Sequence, residues 1–253
     1  MYFSRPDDRE AVSSKIERDR VCEMFSDIAP TYDLLNRFLS FGIDRIWRRV
    51  AVRSLIDGLV FGRPARLLDL ATGTGDVALA VDRSLSGQGD VQIVGADLAF
   101  PMLAVGCRKA EGRDASVCFL QADALLLPFE EDVFDGVIIA FGLRNLEDRQ
   151  SGLVEMARVL RPGGRLVVLE FGVPQGLFGG LFHFYFRCIL PVAGRLVSGH
   201  PTAYTYLPST VSGFPAPGKL CAMMGDAGFR KVRNCPMTGG IVQVYSGERL
   251  ENV

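Results

Sequence analysis

The chain has 253 residues, 48% of them hydrophobic, enough to bury one substantial core in a single domain with a small appendage. Its 28 Lys+Arg against 29 Asp+Glu leave a formal net charge of -1, which removes the bulk electrostatic basis for gripping a nucleic-acid backbone. Six cysteines (Cys22, Cys107, Cys118, Cys188, Cys221, Cys235) are scattered with no Cys-x-x-Cys pair, and only His183 and His200 add soft ligands, so the expectation is a reduced, cytoplasmic protein without a metal site.

In chain order, residues 1–20 are dense in Arg, Asp and Glu, lack the apolar core of a signal peptide, and read as a flexible tail. Val21–Leu39 and Asp44–Ile56 carry helical spacing on either side of Ser40-Phe41-Gly42, predicting a helical cap over 21–60. From there to residue 253 short apolar runs alternate with amphipathic ones. The predicted strands are Arg66–Leu70, Val91–Ala96, Ser116–Gln121, Val133–Ala140 and Arg165–Phe171. Helices are predicted over Asp76–Ser84, Pro101–Ala110 and Asp148–Leu160, the last stopped by Arg161-Pro162-Gly163-Gly164. Such alternation implies a parallel sheet with helices on both faces.

Leu177–Val197 is long and aromatic-rich, within an apolar lid insertion expected over about 174–215. Arg187 at its middle, with Gly179, Gly180, Pro191 and Arg195, makes it a poor spanning helix. Burial against the sheet, a lid over an oily substrate and a peripheral membrane contact stay open. A helix over Lys219–Ala227 then ends at Gly228, and Phe229–Asn234 and Ile241–Tyr245 follow with a short Pro/Gly loop between them. That connection permits a hairpin but not a parallel crossover. The expected fold is therefore α/β and Rossmann-like, a seven-stranded mostly parallel sheet with an antiparallel last strand. This is the arrangement of class I S-adenosylmethionine-dependent methyltransferases, whereas a dinucleotide-binding domain keeps its last strand parallel.

Asp69-Leu70-Ala71-Thr72-Gly73-Thr74-Gly75 places an acid near the end of a buried strand and two glycines in the turn before a helix. Glycine lets the backbone approach a ligand closely, and the helix N-terminus offers unpaired N–H groups. Gly73, Gly75 and the helix start are thus candidates for the methionine carboxylate, and Asp69 for its amino group. Because Gly73-x-Gly75-x-x-Ala78 also fits the relaxed dinucleotide pattern, the turn alone does not separate NAD from S-adenosylmethionine. Asp97, at the end of the second strand, suits ribose hydroxyls, and Asp123-Ala124 suits the adenine edge. Leu98 and Met102 are candidate apolar contacts to the ring, with core packing an equal reading of both. Ala140-Phe141-Gly142-Leu143-Arg144-Asn145 follows the fourth strand, where open α/β sheets hold ligands. No Asn/Asp-Pro-Pro-Tyr/Phe segment, the mark of base amino-methylation, occurs there.

Three segments carry a resemblance that runs from about Met24 to Gly247: Met24 to Asn36 with Leu39-Ser40-Phe41-Gly42 and Trp47; Phe141-Gly142-Leu143-Arg144-Asn145 leading to Arg158–Arg165; and Tyr204-Thr205-Tyr206-Leu207 with Ala227-Gly228-Phe229. In these the chain resembles the ubiquinone/menaquinone biosynthesis C-methyltransferases. The resemblance implies transfer of a methyl from S-adenosylmethionine to a ring carbon of a polyprenyl hydroquinol. It implies cofactor contacts at Thr74, Asp97, Asp123 and Ala140; Ala140 stands where the family often has Ser, so a contact there runs through backbone. Ser212–Pro217 also departs from the family pattern, leaving the isoprenoid entrance open. On the acceptor side Arg144 is expected to stabilise a phenolate and Asn145 to orient an oxygen or water, with Tyr32, Tyr204 and Tyr206 supplying hydroxyls and Asp33 or water acting as base. The expected partners are the polyprenyl hydroquinol, a peripheral membrane surface and a second copy in a homodimer, not nucleic acid. A methyltransferase for another apolar acceptor, such as a phenol or sterol, and a non-catalytic cofactor-binding subunit are the competing readings.

Overall fold

The computed structural model describes residues 19–59, 64–87, 89–174, 179–180 and 210–251. Three helices precede the sheet among the described residues: α1 over 19–28, α2 (Tyr32–Leu39) and α3 (Asp44–Ile56). Val21–Leu39 was expected as one helix, but it breaks at 29–31. Pro30 is the cause, since proline lacks the N–H that would continue the ladder and disfavours helical geometry at the residue before it.

The sheet holds β1 (Ala65–Leu70), β2 (Val91–Asp97), β3 (Val117–Gln121), β4 (Phe134–Ala140), β5 (Leu160–Phe171), β6 (Phe229–Met237) and β7 (Val242–Arg249) in the order β3-β2-β1-β4-β5-β7-β6. The first five strands are parallel, while β7 runs antiparallel to both β5 and β6, as the short terminal connection requires. Strand β5 starts at Leu160 rather than Arg165. Phe134 pairs with Leu160 and Gly136 with Arg165, so Arg161–Gly164 bulges out of a continuing strand, with Gly163 at a φ of 77°. The helices are α4 (Asp76–Leu85), α5 (Phe100–Glu111), α6 (Arg149–Val159) and α7 (Pro217–Asp226). Asp148 caps α6 by accepting from the Ser151 N–H at 3.0 Å. Among the described residues no helix is long and apolar enough to cross a membrane. Most of Leu177–Val197, and Tyr204 and Tyr206 with it, lies outside the described residues.

Two buried clusters sandwich the sheet. One face packs β strands against α6 and α7 through Leu153, Met156, Leu220 and Met224. The other packs them against α3 and α4 through Trp47, Val52, Leu55, Val77 and Val81. Burial on both faces explains why the parallel strands read as unbroken apolar runs. Trp47 joins α3 to the hairpin and the strand ends: its indole N–H donates to the Thr238 hydroxyl at 2.8 Å, and its ring meets Phe141 and Phe171 edge-on at 6.4 and 6.5 Å. Trp47→Ala should cost roughly 3–5 kcal/mol, against about 1 kcal/mol for Trp47→Phe, which loses mainly the hydrogen bond. Urea unfolding followed by circular dichroism measures both; equal losses would contradict the packing role.

Candidate cofactor site

The turn after β1 is shaped from beneath by Asp69. One oxygen, Oδ2, accepts from the Thr72 hydroxyl at 2.5 Å and from the Ala78 N–H at 2.9 Å, tying the strand end to the first turn of α4. Thr72 N–H also donates to Ala96 of β2 at 3.0 Å, and Gly75 N–H to Thr72 at 2.9 Å. Ala71, Gly73 and Gly75 take positive φ values of 53°, 57° and 78° within this braced loop. A side chain at Gly75 would meet more than a dihedral penalty, because its Cβ would sit 2.7 Å from the Phe119 ring. Asp69 is only 2% exposed, and burial pushes its carboxyl up to about 7, against the lowering effect of its two hydrogen bonds. Its second oxygen, Oδ1, is buried without a hydrogen-bond partner among the described residues.

Above the turn, the carboxyl ends of β1, β2 and β4 open into a cleft of about 890 Å³, part of it open to solvent. Its lining includes Gly73, Asp97, Leu98, Met102, Asp123 and Ala124 from the expected cofactor set, and Ala140 and Asn145 from the fourth strand and its loop. Asp97 accepts from the Gly73 N–H at 2.8 Å and the Ala99 N–H at 2.9 Å. Burial raises its pKa, and those backbone bonds oppose the rise. Asp123 accepts from the Leu125 N–H at 2.9 Å. A carboxylate has about four acceptor positions, so Asp97 keeps capacity for a ligand. Carboxylates at adjacent strand ends with an apolar wall of Leu98, Met102 and Leu125 between them match an adenosine, which offers ribose hydroxyls, an exocyclic amine and a flat ring. Tyr32 lines the cleft with Val21, Cys22 and Phe25, and Cys22, Phe25 and Tyr32 pack against Ala99 and Met102, so the cap closes over this side of the cleft; Phe25 meets Tyr32 edge-on at 6.0 Å.

Several expected site residues point elsewhere. Asp69 and Gly75 do not line the cleft; one braces the turn and the other makes room for Phe119. Thr74, 2% exposed, donates from its hydroxyl to Asp33 at 2.5 Å. Asp33, expected as a base, also accepts from Lys109 at 2.8 Å, and Lys109 bonds Asp76 as well. Bonded to a hydroxyl of the glycine turn and an ammonium of α5, this carboxylate anchors α2 to both.

Arg144 departs furthest from expectation. It is 7% exposed and outside the cleft lining, and its NH1 group pairs with the fully buried Glu170 at 2.8 Å and donates to the Phe141 carbonyl. Its N–H also donates to Glu170 at 3.2 Å, while its carbonyl accepts from Arg149 at 3.0 Å. With its charge balanced inside the protein, Arg144 holds the Phe141–Asn145 loop in place instead of facing an acceptor oxygen. Sequence reasoning passed over Glu170, whose signal was a lone acid in the apolar run Leu166–Phe171, and Lys109, which no local pattern marks. Phe141 lines the cleft at a φ of 58°, and a Cβ at neighbouring Gly142 would lie 2.4 Å from that of Ala71, so these two strand ends are in contact where the ligand space begins.

The comparisons with known proteins agree with this geometry. The model of the ubiE/COQ5 methyltransferase family matches residues 13–249. A demethylmenaquinone methyltransferase of Thermus thermophilus is 53% identical over 227 residues, covering 89% of this chain and 100% of that protein. Another, of Deinococcus radiodurans, is 46% identical over 245 residues, 96% of this chain and 98% of that protein. The ubiquinone/menaquinone biosynthesis C-methyltransferase UbiE of Geobacter sulfurreducens is 46% identical over 234 residues, 91% of this chain and 89% of that protein. Among solved structures, a SAM dependent methyltransferase from Aquifex aeolicus aligns with a TM-score of 0.56 at 15% identity, over 79% of this chain and 89% of that one. The [4+2]-cyclase SpnF aligns with a TM-score of 0.64 at 17% identity, over 92% and 96%. At such identities the likeness speaks for the fold alone.

Two consequences of the geometry are measurable. Asp69 binds its proton more tightly folded than its ordinary value of 3.8 allows, so its contribution favours folding below pH 3.8 and is lost as pH rises to about 7. Asp69→Asn does not titrate, and its stability relative to the parent should therefore climb between pH 4 and 7 by up to about 4 kcal/mol. Urea titrations across that range test it; a difference independent of pH would contradict it. Likewise, Glu170→Ala leaves Arg144 buried and unpaired and should cost roughly 3–5 kcal/mol. Adding Arg144→Leu should recover much of that loss, and additive losses in the double variant would remove the pair from the account.

Proposed function

Since the chain belongs to the ubiE/COQ5 methyltransferase family, we propose that it methylates a ring carbon of a polyprenyl hydroquinol, demethylmenaquinol or a benzoquinol counterpart, using S-adenosylmethionine. The observation that carries this reading is the cleft itself, where the Asp97 and Asp123 carboxylates at adjacent strand ends flank an apolar wall beside the Ala140–Asn145 loop. S-Adenosylmethionine, when bound, supplies an electrophilic methyl group on a sulfonium. Asp97 holds the ribose hydroxyls and the Gly73 turn the methionine end, while Asp123 and Ala124 hold the adenine edge.

The remaining lining does the acceptor's work. The Tyr32 hydroxyl and the Asn145 amide are polar groups of the cleft able to orient a quinol oxygen, and Phe141 and Leu146 give its ring an apolar surface. A quinol carbon becomes nucleophilic as its oxygen shares a proton, so a hydrogen bond from either group fixes which carbon faces the methyl donor. Arg144 and Glu170 act as positioning residues for that loop, and Asp33 for the cap. The cap excludes water from the donor side. A polyprenyl acceptor also implies that the protein works against a membrane surface.

Labelled S-adenosylmethionine incubated with reduced demethylmenaquinones and demethylated benzoquinols should give a ring C-methyl product. Label on none of these acceptors, with the cofactor bound, would contradict the reading and favour another apolar acceptor. Asp97→Ala should weaken S-adenosylhomocysteine binding by roughly 30-fold or more, through loss of charge-assisted hydrogen bonds and release of the Gly73 turn. Asp97→Asn, which keeps one acceptor, should lose less. Calorimetry on folded variants measures both, and parent affinity in Asp97→Ala would take Asp97 out of the site.

A further inference from the structure

The outward side of the cap gathers four of the nine exposed large apolar side chains among the described residues. On α2, Leu34 and Phe38 are 64% and 59% exposed, Phe41 in the following turn is 80% exposed, and Ile46 at the start of α3 is 51% exposed. Leu34, Arg37 and Phe38 stand at i, i+3 and i+4 and so share one stripe of α2. Arg45, Ile46 and Arg49 form the matching stripe of α3, and only residues 40–43 separate the two helices. Arg37, Arg45, Arg49 and Arg53 are all exposed. The two acids of this stretch turn inward: Asp33 bonds Thr74 and Lys109, and Asp44 bonds Ser40 and Arg48. In a chain of net charge -1, this face therefore presents large apolar side chains among cations with its acids withdrawn.

We propose that this α2–α3 face docks on an anionic lipid bilayer, with Leu34, Phe38 and Ile46 entering the acyl boundary and the arginines meeting lipid phosphates. The apolar side chains gain by leaving water, and arginines bury their stems while keeping their heads at the phosphates. A twofold contact with a second copy would set the same arginines against each other, so charge complementarity selects the bilayer over self-association. The opposite side of the same helix carries Tyr32 into the cleft. Docking through α2 thus sets the cleft beside the phase that holds a polyprenyl acceptor; in this the proposal rests on the function proposed above.

Vesicle flotation tests the face without relying on catalysis. The full chain should float with equimolar phosphatidylglycerol and phosphatidylethanolamine, less so at high salt, and not with pure phosphatidylcholine. Arg45→Gln with Arg49→Gln should weaken partitioning about 25-fold, at about fivefold per arginine. Leu34→Ser with Phe38→Ser should also abolish flotation, whereas Val154→Ser, an exposed apolar position on α6, should change nothing. All variants should retain the parent circular dichroism and methylate a short-chain, water-soluble quinol at the parent rate. Flotation that survives both double variants, equal binding to neutral vesicles, or a dimer that Leu34→Ser with Phe38→Ser dissociates would each overturn the proposal. Flotation as predicted with no quinol methylated would leave the face standing and remove the activity.

Discussion

One carboxylate oxygen at the end of β1 makes two bonds on which the site's shape depends. Asp69 Oδ2 receives the Thr72 hydroxyl and the Ala78 N–H together, so strand, turn and helix start meet at a single buried atom. Burying an acid this way is costly, and the raised pKa is the measure of that cost. In exchange, three consecutive odd positions, Ala71, Gly73 and Gly75, are held in left-handed geometry. The Gly73 N–H then lies within reach of Asp97 on the neighbouring strand, and the floor of the cleft is complete before any ligand enters. Preformed polar contacts of this kind reduce the ordering that binding must impose.

A second set of charges fastens the cap to that floor. Ser40, Asp44, Arg48, Asp76, Lys109, Asp33 and Thr74 are linked in sequence by hydrogen bonds and ion pairs, so α2, α3, the glycine turn, α4 and α5 share one network. These groups are partly shielded from solvent, which strengthens their coupling over that of surface pairs. The network holds Tyr32 over the cleft from one side, while Arg144 and Glu170 hold Phe141 and Asn145 from the other. Both parts of the cleft lining are therefore positioned by ionic contacts that lie outside the cleft.

How much of this was legible in the sequence follows from how local each cause is. Strands β1 to β4 and helix α3 could be read from apolar runs and periodicity, because both record burial within a few residues. The reversed hairpin followed from loop length alone. Asp97, Asp123, Gly73 and Asn145 reach the cleft because strand ends in this fold leave little choice of direction. Arg144, Thr74 and Asp33 did not follow, because partners far along the chain set their direction: Glu170 lies 26 positions from Arg144, and Lys109 lies 76 from Asp33. The break at Pro30 was readable from proline chemistry and was overridden by the apolar spacing on both sides. The Pro-Gly-Gly signal correctly marked the end of α6, but in place of a turn the chain continues as strand from Leu160 through a bulge.

The central claim is that the cofactor lies across the carboxyl ends of β1, β2 and β4, between the Asp69-braced turn and the cap. Hydrogen–deuterium exchange with and without S-adenosylhomocysteine tests it most directly, since backbone protection reports where the ligand sits without presupposing any side chain's role. Slower exchange should be confined to the turn over residues 71–76, the segments that follow β2 and β3 at 97–100 and 122–126, and the loop over 140–146, with α2 slowed through its network to Thr74. Protection centred instead on the β6–β7 hairpin or on α7, with the strand ends unchanged, would contradict the account.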